Sequence, residues 1–165
     1  MRAALILIAC LLTATSARAD GLKLPDPAVD AESIRLCAMI TDISLGERLD
    51  CGKYVFEGCR ADAVAADPNG EWREIFAHCL EREARAWDEV VKLVYSDVRA
   101  GAKEVRLDSA LRDAQKKWMD FRSAKCGWKD RVLRGNDAAF NEITCRRDTN
   151  AMRAIELLDD LVFFQ

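Results

Sequence analysis

Four side chains within one short stretch are the first candidates for chemistry: Gln115, Trp118, Arg122 and Cys126, spaced by three, four and four residues. On an α-helix all four project from one face. An indole, a guanidinium and a thiol on one stripe is an unusual combination for a helix that only fills a core. Leu111, Ala114 and Phe121 are expected to widen that face. The plainer reading assigns Trp118 and Phe121 to the core, Cys126 to a disulfide, and Gln115 and Arg122 to hydrogen bonds within the domain, because buried polar groups usually find intramolecular partners.

Catalytic constellations are sparse. The chain contains no phosphate-cradling glycine loop, no HExxH and no GxSxG. A Ser–His or Cys–His dyad would have to use His78, the single histidine, which sits in a core-periodic stretch beside Cys79. Paired carboxylates can hydrolyse glycosides, but Asp88 and the Glu81/Glu83 pair read as the solvated acidic face of a helix. A zinc site is disfavoured by the lack of a CxxC and of a second histidine. The expectation is a protein that is not an enzyme and needs no metal or cofactor.

The elements that position these residues follow from the bulk of the chain. At 165 residues, half of them apolar and 32% charged, there is room for one soluble domain. Met1-Arg2, the apolar run Leu5 to Leu12 and Ala17-Arg18-Ala19 before Asp20 fit a signal peptide cleaved near Ala19. Leu7-Ile8-Ala9-Cys10 imitates a lipoprotein cleavage site, but cutting there leaves an apolar region of only a few residues. No other run is long enough to span a bilayer. Without Arg2 and Arg18, 23 basic residues face 28 acidic ones. This balance makes nucleic acid an unsuitable partner and is compatible with a cationic protein partner.

Six cysteines remain in the expected mature chain, an even number that reads as three disulfides in an exported protein. Turn signals lie midway between successive pairs: Ser44 beside Gly46 for Cys37 and Cys51, Asp67-Pro68-Asn69-Gly70 for Cys59 and Cys79, and Gly135-Asn136 for Cys126 and Cys145. Two helices folding back at a turn bring equidistant residues to one height, so sequential pairing is expected.

Asp26-Pro27 reads as an N-cap followed by proline at the first helical position. Leu36, Cys37, Ile40 and Ile43 then mark a helix ending near Gly46, followed by a short helix over Arg48 to Phe56 and irregular chain around Cys59. Glu71 to Arg99 carries the clearest helical period, from Trp72 through Phe76, Trp87 and Val94 to Val98, with Ala100-Gly101 as its stop. Asp108 or Ser109 caps the Gln115 helix, with Gly127 as its candidate break, and a last helix spans Ala138 to Leu161. No period-two alternation is sustained. The expected fold is all-α, a small disulfide-stapled bundle of about four helices built from antiparallel hairpins.

The pattern Ala114-Gln115-x-x-Trp118-x-x-Phe121-Arg122-x-x-x-Cys126 resembles the lysozyme inhibitor LprI family. Cys79, Asp88 and Tyr95 match the family's cysteine, Asp and Tyr on the preceding helix, and Cys145, Thr149 and Arg153 match its closing cysteine and Thr-x-x-x-Arg. Val90-Val91 stand where the family has Leu-Asn. The resemblance covers roughly residues 75 to 160, so that after the signal peptide (1–19) the expected division is an N-terminal helical extension (20–70) and an LprI-like helical domain (71–165).

It further implies an exported, periplasmic or secreted bacterial protein that binds and blocks lysozyme; the alternative is an envelope interaction module with another protein partner. Asp88, Tyr95, Gln115, Trp118, Phe121, Arg122, Thr149 and Arg153 are expected to be structural, with Asp88 and Arg122 forming an interhelical ion pair. A blocking segment is expected on an exposed loop, with Asp97 to Asp108 and Lys129 to Asp137 the two available.

Overall fold

The computed structural model describes residues 25–132 and 136–164; the expected signal peptide, Cys10, the lead-in to Leu24 and Gly135 lie outside them. The described chain is all-helical: α1 Pro27–Ala38, α2 Leu45–Leu49, α3 Lys53–Ala66, α4 Trp72–Glu104, α5 Asp108–Val132 and α6 Asn136–Leu161, with 3₁₀ turns at Asp50–Gly52 and Val162–Phe164. Five of these helices exceed ten residues, one more than the expected four, because Lys53 to Ala66 is helical throughout and carries Cys59 on its inner face.

Local chemistry sets the starts of the helices. Asp26 caps α1, its carboxylate accepting from the Ala28 N–H at 3.0 Å, with Pro27 at the first position. The helix stops at Ala38, earlier than the apolar spacing suggests, and leaves Leu36 and Ile40 largely exposed. Ser44 and Glu47 then form a capping box that opens α2. Buried Arg48 on α2 donates to the Ala38 carbonyl and to Asp159 on α6, both at 2.8 Å, and so fixes the end of α1.

The central helix α4 ends at Glu104, running through the glycine expected to stop it. Gly101 is needed for space: a Cβ there would lie 2.5 Å from Cβ of Phe164, which folds back over the helix. Termination comes at Arg106, which adopts φ 63° while its N–H donates to the Lys103 carbonyl at 3.2 Å and the Leu107 N–H donates to Ala102 at 2.7 Å. This is the Schellman arrangement with an arginine in the position usually held by glycine.

The core lies along α4. Trp87, Val90, Val94 and Val98 are essentially inaccessible and meet Ala31 and Ile34 of α1 and Ala154, Ile155 and Leu157 of α6. Burial of such side chains is worth roughly 1.5–3 kcal/mol each. Gly52 lets the 3₁₀ turn approach this core, since a Cβ there would come within 2.3 Å of Trp87 Nε1 and 2.5 Å of Glu83 Oε1. Three disulfides join Cys37 to Cys51, Cys59 to Cys79 and Cys126 to Cys145, with Cα separations of 5.8, 5.5 and 5.5 Å, the sequential pairing that the turn positions predict.

Candidate functional site

The stripe on α5 faces α6 and the polar flank of α4, and it docks there mostly through polar groups. Arg122 Nη1 donates to Asp88 Oδ1 on α4 and to Asn150 Oδ1 on α6, each at 2.7 Å. Asn150 is completely buried, and its amide also points at Asp88, at 3.4 Å. Two turns earlier on α5, Gln115 is buried and its Oε1 accepts from both Nε and Nη2 of Arg153 at 3.1 Å. Trp118 lies between the two guanidiniums, with its ring centre 5.0 Å from Arg122 Cζ and 5.9 Å from that of Arg153. This is cation–π geometry on a partly buried ring.

Cys126 closes the stripe by its bridge to Cys145, and Thr149 sits against the bridge with its hydroxyl 3.9 Å from Cys126 Sγ. Disulfide sulfurs have no hydrogen, so the hydroxyl is the only donor available there. Tyr95 packs on the margin of the core.

Two expected members stand apart. Phe121 is 56% exposed, with only Lys125 Nζ over its ring at 5.6 Å, because at about 100° per residue it is rotated well away from the centre of the stripe. Ala114 is likewise exposed.

Asp88 is held below the usual carboxylate range. Burial alone would raise it, but hydrogen bonds from Arg122 and Lys92 outweigh that effect. Its side chain keeps one-third of its exposure, and Lys92 Nζ lies 3.1 Å from Oδ2, so removing Arg122 does not leave it alone. The group that Arg122 protects is buried Asn150.

The acids expected on a solvated face turn inward. Glu81 pairs with Arg146 of α6. Glu83 is 4% exposed and 3.6 Å from Arg147, and burial pushes its carboxyl up against the opposing pull of that arginine. A polar interruption in an apolar period looks like a wet face only until a neighbouring helix supplies the opposite charge. The consecutive Arg146 and Arg147 were the available signal. A cleft of about 330 Å³ opens beside this pair, lined by Lys53, Glu83, Trp87, Arg147 and Met152 among others.

His78 lies in a shallow groove with Asp67, Glu71 and Glu74, and burial followed by the charge of Arg82 lowers its pKa. No group of three His, Cys, Asp or Glu among the described residues is placed to hold a metal ion. No helix there is long and apolar enough to cross a membrane.

The two loops expected to carry a blocking segment are mostly helix. Asp97 to Glu104 belongs to α4, leaving Val105 to Leu107 as the connection to α5, and Lys129 to Val132 belongs to α5. The sequence signal overlooked here is the pair of aromatics in the first two turns of α4, Trp72 and Phe76, whose spacing continues the helical period. Trp72 is 63% exposed and Phe76 37%.

Neither a curated protein nor a solved structure matches the chain. One family does match, described as Lysozyme inhibitor LprI, over residues 59–157. That span runs from Cys59 on α3 to Leu157 on α6 and takes in the Cys59–Cys79 bridge, the Asp88–Arg122–Asn150 network, the Gln115–Arg153 contact and the Cys126–Cys145 bridge. Because it covers well over half of the residues, the chain belongs to the lysozyme inhibitor LprI family.

Proposed function

We propose that this protein is exported, and that it binds lysozyme and blocks its action on the cell wall. The observation that carries the reading is membership of a family described as lysozyme inhibitors. Three disulfides support it, since such bridges persist in the oxidising compartments where lysozyme acts. An acidic chain favours encounter with a cationic enzyme. The stripe on α5 serves as scaffold in this reading: Asp88, Gln115, Trp118, Arg122, Thr149 and Arg153 spend their bonding capacity within the bundle and leave recognition to the outer surface.

The test is lysis of bacterial cell walls by c-type and g-type lysozymes with the oxidised protein titrated in. Dose-dependent inhibition near stoichiometric amounts is expected for at least one class. Folded protein that inhibits neither class overturns the reading and favours an envelope module with a different protein partner.

A further inference from the structure

The end of the bundle formed by the α3–α4 turn and the start of α6 gathers four aromatic rings. Phe76 stands at its centre, with ring centres 5.0 Å from Phe56 of α3, 5.8 Å from Phe140 of α6 and 6.2 Å from Trp72. The chain of rings starts half-buried and finishes in solvent at Trp72, beside exposed Val64. Shallow grooves flank it. One of about 330 Å³ runs past Arg60, Val64, Asp67, Trp72 and Phe76, and another of about 260 Å³ past Arg73, Glu74, Phe140 and Ile143.

The chain around the α3–α4 turn is predominantly acidic. Residues 57–76 hold five acids against two arginines. Arg60 is bonded to Glu57 at 2.7 Å, and Arg73 lies over the Trp72 ring at 5.6 Å. Asp62, Asp67, Glu71 and Glu74 are exposed, and with Arg73 counted the segment keeps a surplus of three negative charges. At the opposite end, residues 99–112 hold four basic side chains against two acids. Glu71 and Glu74 also suit the start of α4, where helix dipoles favour acids, but that role gives no reason for a tryptophan to stand in water beside them. Exposed aromatics ringed by polar groups are the composition of interface anchors.

We infer that this acidic, aromatic end is the docking surface for a cationic protein partner, with Trp72 as its anchor, and, resting on the function proposed above, that the partner is lysozyme. Trp72 and Phe76 supply the apolar contact and the grooves beside them receive the partner's side chains. The surplus acids meet basic groups on the enzyme and steer its approach.

The experiment measures binding to c-type and g-type lysozymes by calorimetry, together with inhibition of lysis, for the oxidised protein and three variants whose fold is checked by circular dichroism. Trp72→Ala is expected to weaken binding at least tenfold. Glu71→Gln with Glu74→Gln is expected to weaken it several-fold and to flatten its dependence on salt. Phe163→Ala, at the opposite end, is expected to bind like the parent.

Parent-like inhibition by both the Trp72 and the glutamine variants overturns the docking surface while leaving the inhibitor reading intact. A parent protein that binds no lysozyme overturns the inhibitor reading first, and the choice of partner with it. Trp72-dependent dimerisation in sedimentation, without an effect on lysozyme, assigns the surface to a second copy of the chain and also overturns the proposal.

Discussion

Helices α4 and α5 are held to α6 by opposite means. α4 presents Trp87, Val90, Val94 and Val98 to an apolar interior. α5 buries little of that kind: Met119, Phe121, Trp128 and Val132 are exposed, and its grip comes from Gln115 on Arg153, Arg122 on Asp88 and Asn150, and one disulfide. Apolar contact is non-directional and tolerates sliding, whereas a guanidinium shared by a carboxylate and an amide accepts one register only. α4 therefore supplies most of the stability, and α5 is placed by geometry.

The largest effect separating the two should come from the bridge. Cys126→Ser with Cys145→Ser should cost about 3 kcal/mol in denaturant unfolding, from the loop of 19 residues it closes. Amide exchange should then accelerate in α5 well before α4; uniform acceleration would mean that α5 is held by more than its seam.

Arg122→Ala should cost about 2 kcal/mol, the penalty for leaving a buried polar group without its partner, and the same penalty in an Asn150→Ala background should be much smaller. Additive losses would show that Asp88 is the partner that counts. On the apolar side, Val94→Ala should cost a similar amount, roughly 2 kcal/mol, without any coupling to Asn150.

Arg106→Gly should stabilise the connection between the two helices by about 1 kcal/mol, by relieving a left-handed residue that carries a side chain. A loss of stability would mean that the arginine makes a compensating contact.

The subtlest test is pH. The folded pKa of Asp88 is depressed, so the stability it contributes is present above the ordinary carboxylate value of about 3.9 and is lost as pH falls through the lower folded value. Glu83 runs the other way: its folded pKa is raised, so the fold loses stability as pH climbs from about 4.3 through the raised value. Urea midpoints followed across the acid range should keep the first slope and lose the second in Glu83→Gln; an unchanged profile would mean that Glu83 does not set it.

The apolar half of this contrast was plain in the sequence, since more than seven turns of three-and-four spacing leave α4 little alternative. Gln115, Trp118, Arg122 and Cys126 likewise share one face by spacing alone, and the structure brings all four onto α6 and α4. What spacing conceals is the partner. Glu83 looks solvated until α6 delivers Arg147, and Gly101 looks like a stop until Phe164 is seen lying on it. Trp72 shows the converse: it keeps the helical period but lies beyond the point where neighbouring helices cover that face. The continuation of α3 through Cys59 was hidden by weak periodicity, and its bridge to Cys79 compensates for it.

The four tryptophans fall one to a region: Trp87 in the apolar interior, Trp118 between two guanidiniums in the polar seam, Trp72 at the aromatic end and Trp128 exposed near the end of α5. The chain thus carries its own set of fluorescent reporters. In variants keeping one indole at a time, Trp87 should emit towards the blue and resist iodide, Trp72 and Trp128 should be readily quenched, and a red shift of Trp118 alone would time the release of α5 from an otherwise intact bundle.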